Sequence, residues 1–507
     1  MCPIATYDMS AVVKNTPVEA IPKVVEGLRA SFLTGKSRSV EYRKKQLKQL
    51  YFLVKENETA FVEAIKNDLG RPPMETEFGE IVSVKNEIAD AISHVDEWAK
   101  PTKASGGLAY FAHTTKTIKD PKGTVLVLGA WNYPITVQIG PVVGALAAGN
   151  MVVLKPSELS AHSAQLIADL WPRYMDPELT RVVNGGVEHS TALLDQRFEH
   201  IFYTGSGRVG RIIAEKAAKW LCPTTLELGG KSPVIIDHTA DLALAAHRLV
   251  WAKAFNAGQT CIAPDYVLID RSVQDKFVAE LQKAAGEFWP SMDKNVRDFG
   301  RIVNERNWNR LASMLRASKG QVVYGGVDAG EESSKFLPLT ILKDVDGQDS
   351  TMAEEIFGPI LPLVPVDNVQ GAADFINARD QPLALYLFAA MQPTTDFILK
   401  YTRSGAAVRG DFMLHFSINE LPFGGTGPSG YGTYHGKAGF DCFTHERAFV
   451  DAPASGLLGS AVEHMMSLRY PPYSATKLAL LQKSMNKVVF FGHPKNPTVS
   501  PSRKSRL

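Results

Sequence analysis

Of the four cysteines in this 507-residue chain, Cys261 alone stands in a setting suited to nucleophilic chemistry. It lies in Gly258-Gln259-Thr260-Cys261-Ile262-Ala263-Pro264-Asp265-Tyr266, among small and polar residues between two apolar runs, whereas Cys2, Cys222 and Cys442 have ordinary surroundings. A thiolate displayed from such a turn attacks electrophilic carbon. Cysteine more often serves as a small buried hydrophobe, so Cys261 needs partners. One is Thr204-Gly205-Ser206-Gly207-Arg208-Val209-Gly210, which follows a strand-like run and opens a helix-like one. Gly205, Gly207 and Gly210 have the spacing G-x-G-x-x-G, in which glycines admit a phosphate and the helix N-terminus offers free N–H groups. Glu227 follows Gly205 by 22 positions, near the distance at which that fingerprint places an acidic ribose ligand. Its context, Leu226-Glu227-Leu228-Gly229-Gly230-Lys231-Ser232-Pro233, instead predicts a sharp turn presenting a carboxylate into a cleft. Glu158, in Lys155-Pro156-Ser157-Glu158 at the end of a strand-like run, is the better ribose candidate, because open α/β sheets bind ligands at strand C-termini. A solvated charge pair is the plain alternative for Lys155 and Glu158.

These residues need a scaffold, and the hydrophobic pattern describes one. From Val18 to about Ala99 apolar residues recur at helical spacing among charges, as in Val40-Glu41-Tyr42-Arg43-Lys44-Lys45-Gln46-Leu47. After Gly123 short apolar runs (Thr124–Leu128, Met151–Leu154, Arg181–Val183, His200–Tyr203) alternate with helix-like stretches (Ile139–Ala148, Ala161–Trp171, Ser190–Leu194). That alternation predicts βαβ units on a parallel sheet. A second alternation starts near Ser232-Pro233-Val234 and continues to about Phe412, which predicts another α/β domain. The glycine-rich stretch Leu421–Gly432 reads as an ordered, turn-rich loop near a site rather than a linker.

The net charge of +2 hides an asymmetry: from His464 to Leu507 there are eight Lys/Arg and no Asp or Glu. Setting these eight aside leaves 47 basic residues against 53 acidic ones, so the body is no nucleic-acid binder by charge, while the tail suits an anionic surface. Scattered cysteines predict neither disulfides nor a metal site. The N-terminus has no basic region followed by an apolar core, and no apolar run reaches membrane-spanning length. A reducing, cytoplasmic compartment is expected.

Six segments stand together in the order and spacing of the aldehyde dehydrogenase superfamily: Trp131-Asn132-Tyr133-Pro134, Lys155-Pro156-Ser157-Glu158, Phe202-Tyr203-Thr204-Gly205-Ser206, Glu227-Leu228-Gly229-Gly230-Lys231, Gly258-Gln259-Thr260-Cys261 and Glu355-Ile356-Phe357-Gly358-Pro359. The resemblance runs from roughly residue 20 to 455. Tyr266, the Leu421–Gly432 loop, Tyr434-His435-Gly436-Lys437 and Arg469-Tyr470-Pro471-Pro472-Tyr473 resemble the class 3 branch, which includes fatty aldehyde dehydrogenases. The resemblance implies an α/β fold with a Rossmann-like nucleotide-binding domain (1–103 with 123–229) and a second α/β catalytic domain (230–412). A small β oligomerisation arm (104–122 with 413–455) and a basic amphipathic tail (456–507) complete it.

The resemblance also implies roles. Cys261 attacks the aldehyde to give a thiohemiacetal and then a thioester. The Asn132 amide and the Cys261 N–H stabilise the oxyanion, and Glu227 is the general base for the hydrolytic water. Lys155 and Glu158 hold the adenosine ribose of NAD, Gly205, Ser206 and Gly210 form the turn at the pyrophosphate, Glu355 binds the nicotinamide ribose and Phe357 lies against the nicotinamide. A carboxylate at Glu158 favours NAD over NADP, although class 3 relatives use both. The expected substrate is a hydrophobic aldehyde, a long-chain fatty one or an isoprenoid or apocarotenoid one, with an aromatic aldehyde second. Acylating transfer to coenzyme A, or a cofactor-free cysteine hydrolase, are the rival readings.

Two departures stand out. Arg409-Gly410-Asp411 replaces the class 3 pattern before the substrate entrance, and His435 reads as structural. At the C-terminus, Ser474–Phe491 sets Leu478, Leu481, Met485 and Val488 on one helical face with lysines on the other. A helix of that kind suits either peripheral contact with an intracellular membrane or docking over the active-site mouth of its own chain or of a homodimer mate.

Overall fold

The computed structural model describes residues 13–105 and 110–485. They divide between two compact units, one of residues 1–100 with 119–445, the other of 101–118 with 446–507.

The larger unit is built on two sheets. In the first, five parallel strands stand in the order Thr224–Glu227, His200–Thr204, Thr124–Leu128, Met151–Lys155 and Thr180–Val182. Their apolar runs are unbroken because helices cover both faces of a parallel sheet. Every residue of Thr124–Leu128, Met151–Lys155 and His200–Thr204 is buried. The helix Thr136–Ala148 is buried on all sides, as its lack of charged residues requires. It packs on Ser83–Trp98 and on Gly436–Cys442. Gly144 allows this, since a Cβ there would lie 2.8 Å from the Gly439 main chain. The second sheet has seven strands, with Thr340–Lys343, Ile360–Val366, Tyr266–Asp270, Pro233–Ile236, Ala384–Phe388 and Ala406–Arg409 parallel and Gln321–Tyr324 antiparallel at one edge.

The predicted helical N-terminal region is present as Ile21–Leu33, Val40–Lys55, Glu58–Leu69 and Ser83–Trp98. The two units divide the chain differently from the sequence reading. Residues 413–445, read there as part of the arm, belong to the larger unit. The strand Gly430–Tyr431 pairs antiparallel with Thr224–Glu227 and extends the first sheet, while Phe423, Tyr434 and Phe440 enter the core. The Leu421–Gly432 loop is thus ordered, and it backs the strand that carries Glu227.

Thr102–Lys103, Thr114–Pro121 and Thr444–Asp451 form a three-stranded sheet, most of whose residues belong to the smaller unit, and the helices Gly456–Met466 and Ala475–Met485 follow it. Leu478 and Met485 are exposed. Val488, Phe490 and Phe491 of the expected amphipathic stretch lie outside the described residues. Among the described residues no helix is long and apolar enough to cross a membrane.

Candidate active site

Strand ends bring the chemistry together. Lys155 and Glu227 close their strands, and Gly205 follows one, so register places all three at the C-terminal edge of the first sheet: Leu128 pairs with Lys155 and with Tyr203, and Thr204 with Glu227. From Glu227 the chain turns through Gly229-Gly230 into Pro233–Ile236, the first strand of the second sheet. Cys261 and Glu355 precede the neighbouring parallel strands Tyr266–Asp270 and Ile360–Val366, and so share the facing edge.

Cys261 is part-exposed on a turn and lines a cavity of about 240 Å³ walled largely by apolar side chains, among them Tyr133, Val137, Phe255, Ile262, Phe412 and Met413. Its thiol is pushed up to about 12, first by burial and then by the Glu355 and Glu227 carboxylates, against which the N–H groups of Cys261 and Ile262 favour the thiolate. The sulfur therefore rests as a thiol and requires a base.

Glu227 has the right character for one. It is 2 % exposed, and neither carboxylate oxygen has a hydrogen-bond partner among the described residues. Burial alone holds its pKa well above the ordinary carboxylate range. An unpaired buried carboxyl is costly, and active sites are where such groups are kept. The Tyr434 phenol is held well above its ordinary range, first by burial and then by the charges of Glu227, Cys261 and Glu87.

Asn132 is buried, and its Nδ2 donates to the Gln259 carbonyl at 3.1 Å. This bond ties Asn132 to the turn that carries Cys261.

The cofactor candidates form a second group. Lys155 is buried, with Nζ donating to Pro156 O at 2.9 Å and to Glu158 Oε2 at 3.1 Å, and Glu158 reaches solvent. Burial lowers the Lys155 pKa while Glu158 raises it. Ser206 is exposed and caps the helix Gly207–Ala218, its hydroxyl accepting from the Val209 N–H at 3.4 Å. Gly210 lies one turn into that helix and has a packing role: a Cβ there would lie 2.9 Å from Leu228. The Glu355 carboxyl, pushed up to about 8 by burial and Asp265, accepts from the Gly230 N–H. Phe357 takes φ 50° and packs edge-on against Trp131, centroids 5.4 Å apart. A Cβ on Gly229 would collide with the Glu355 carboxylate, and one on Gly205 with the Tyr203 hydroxyl. Backbone stripped of side chains, an exposed helix N-terminus and carboxylates at two ends make a cradle that fits a dinucleotide.

Several residues that position these groups carry no motif. Arg71 and Glu80 form a fully buried ion pair behind Asn132. Asn256 and Ala257 take left-handed conformations just before Gly258, a turn that the Asn-x-Gly step could have signalled but the sequence reading did not use. Lys231 pairs with Asp265 and donates to Thr351 O at 2.7 Å and Glu354 O at 3.0 Å, while Asp265 accepts from Ile356 N at 2.9 Å, so the two fix the Glu355 loop. His435 is a buried ring 5.4 Å from Phe423, held neutral by burial. Arg409 turns away from the cavity and donates to the Ala389 and Ala390 carbonyls.

A thiol lining an apolar cavity, a buried free carboxyl and a dinucleotide cradle define an oxidoreductase that works through a covalent intermediate. The sequence model described as "Aldehyde dehydrogenase family" matches residues 1–449, and the chain belongs to that family. Aldehyde dehydrogenase family 3 member A2 of Rattus norvegicus is 43 % identical over 467 residues, covering 91 % of this chain and 94 % of the relative. The "dimeric NADP-preferring" aldehyde dehydrogenase of Canis lupus familiaris is 42 % identical over 452 residues, 89 % of this chain and 98 % of its own. Among solved structures, the substrate-bound state of Staphylococcus aureus AldH superposes with a TM-score of 0.87 at 36 % identity, covering 91 % of this chain and 99 % of that one. An indole-3-acetaldehyde dehydrogenase complexed with NAD+ gives 0.80 at 25 % identity, covering 87 % and 90 %.

Proposed function

We propose that this enzyme oxidises a hydrophobic aldehyde to the carboxylic acid with NAD(P), using Cys261 as nucleophile, Glu227 as general base and Asn132 as oxyanion donor. The observation that carries the reading is the apolar cavity of about 240 Å³ that Cys261 lines. A chain of methylenes gains about 0.8 kcal/mol for each group it buries there. A long-chain fatty or isoprenoid aldehyde suits the cavity best, and an aromatic aldehyde is the second choice.

The proton inventory follows from the burial. Glu227 takes the proton of the Cys261 thiol, since the thiol gives it up to water only at very high pH. Sγ bonds to the carbonyl carbon, and the oxygen that gains charge meets the Asn132 amide and the Cys261 N–H. A bound nicotinamide cofactor supplies the acceptor for the hydride that leaves that carbon. Glu227 passes the thiol's proton to solvent before the second step; the thioester left on Cys261 is then opened by a water whose proton goes to Glu227 and on to the departing sulfur, freeing the acid. Lys155 and Glu158 are assigned to the adenosine ribose, the Gly205–Ser206 turn to the pyrophosphate, Glu355 to the nicotinamide ribose and Phe357 to the ring. A buried carboxyl free of partners favours water over coenzyme A as the acyl acceptor, because water, a far weaker acid than a thiol, is the acceptor that depends on a base.

A dimeric relative supports a homodimer. Exposed Leu478, Leu480 and Met485, together with Lys477 and Lys483 on the helix Ala475–Met485, support peripheral contact with an anionic intracellular membrane. The direct test is NAD(P)H formation by purified protein across aliphatic, polyene and aromatic aldehydes of increasing length. Activity rising with chain length and absent in Cys261→Ala is expected. Activity confined to short polar aldehydes, or retained in Cys261→Ala, defeats the reading.

A further inference from the structure

Arg71 is fully buried and charged, and the chemistry above makes no use of it. Its guanidinium makes three directed bonds: Nη1 to Glu80 Oε1, Nη2 to the Asn132 carbonyl and Nε to Asn256 Oδ1 at 3.0 Å. One face lies 4.6 Å from the centre of the Tyr133 ring. Glu80, equally buried, accepts with its other oxygen from the N–H groups of Ile135 at 2.7 Å and Thr136 at 3.1 Å, at the start of the helix Thr136–Ala148. Asn256 closes the ring of bonds. Its amide donates to the Asn132 carbonyl and to the Gln259 carbonyl, each at 3.0 Å, and Glu75 accepts its backbone N–H at 2.9 Å.

The geometry has a particular target. The Asn132 carbonyl receives two donors, one from Arg71 and one from Asn256, so its peptide plane is held from both sides. The Gln259 carbonyl likewise receives Asn256 Nδ2 and Asn132 Nδ2. The loop that offers the amide and the turn that offers the sulfur are therefore tied through Arg71 and Asn256 rather than by ordinary secondary structure. A buried ion pair is a poor device for stability, since apolar side chains of similar volume often do as well or better. A planar fork that reaches a carboxylate, a carbonyl and an amide together is a good device for orientation.

We propose that Arg71, held by Glu80, is the positioning residue of the oxyanion site, fixing the Asn132 peptide against the Asn256–Cys261 turn so that amide and sulfur keep the spacing carbonyl attack requires. This rests on the assignment of Asn132 as oxyanion donor. Misplacing a reacting group by about 1 Å costs on the order of 100-fold in rate, and loss of an oxyanion donor costs roughly 100- to 1,000-fold.

The test uses the full chain and the single-turnover rate of NAD(P)H formation with saturating aldehyde. Arg71→Met combined with Glu80→Leu removes both members of the ion pair and keeps the core filled. It is expected to retain the wild-type unfolding temperature within a few degrees, to leave the KM for the cofactor unchanged, and to lose about 100-fold in rate. Asn132→Ala alone is expected to lose at least as much, and adding it to the double variant should cost little more, because Arg71 acts through Asn132. A double variant at the wild-type rate, or losses that multiply when Asn132→Ala is added, overturns the proposal and leaves the Asn132 assignment standing. Asn132→Ala at the wild-type rate overturns both. Should the double variant fail to fold, Arg71→Lys carries the same test, since it keeps a cation opposite Glu80 and removes the planar fork that also reaches Asn132 and Asn256. A rate loss of about tenfold or more that does not multiply with Asn132→Ala supports the proposal, and any other result overturns it.

Discussion

Glu227 shows how one residue can be costly to the fold and necessary to the chemistry. Its folded pKa lies above that of an exposed glutamate, about 4.3. The folded chain thus binds this proton more tightly than the unfolded chain, and stability falls as pH rises from about 4.3 toward the folded value. Glu227→Gln removes that loss, so its thermal unfolding temperature should gain on wild type across the same window, as a melting series over pH reads. Catalysis runs the opposite way. The wild-type single-turnover rate should fall as pH drops through the Glu227 ionisation, above the ordinary carboxylate range, because a protonated carboxyl accepts nothing. Glu227→Gln should cut steady-state turnover at neutral pH by roughly 100-fold or more, with the hydride step recovering as pH climbs toward the thiol's own ionisation near 12. Unaltered steady-state turnover in this variant excludes Glu227 as base. Much of this was legible in the sequence, since Cys261, Glu227 and Asn132 each sit in a contiguous motif. Arg71 and Glu80 were not, because a buried charge reads like a solvated one until its partners are brought to it, Asn256 from 185 positions away.

At the level of elements, the parallel strands were the readable part. Unbroken runs such as Thr124–Leu128 have few other uses between turn signals. Gly430–Tyr431 was illegible as a strand, since two residues in a glycine-rich stretch carry no period, and only the edge of Thr224–Glu227 makes them one. Close helix contacts were equally hidden. Gly144→Ala introduces a Cβ 2.8 Å from the Gly439 main chain, between the helices Thr136–Ala148 and Gly436–Cys442, where no flexible side-chain end can move aside. It should destabilise by about 1–3 kcal/mol, seen as a lower unfolding temperature, while Gly27→Ala, with open space around its Cβ, should not. Equal melting of the two variants would show that the helices separate freely.

For the molecule as a whole, the charge asymmetry of the sequence becomes a spatial one only at the C-terminus, where exposed Leu478, Leu480 and Met485 share a short helix with lysines. Truncation after Tyr473 should abolish co-sedimentation with anionic liposomes and leave turnover of a water-soluble aldehyde unchanged. Equal sedimentation of both forms removes the membrane reading. The pairing of Gly430–Tyr431 with Thr224–Glu227 bears on how the enzyme comes into being. The strand that presents the base is an open edge until a segment some two hundred residues later arrives to close it. On the ribosome, sulfur, amide and carboxyl have all emerged long before that happens. From Glu227 to Gly430, some two hundred of 507 residues, the chain is made with the carboxyl's strand unsealed.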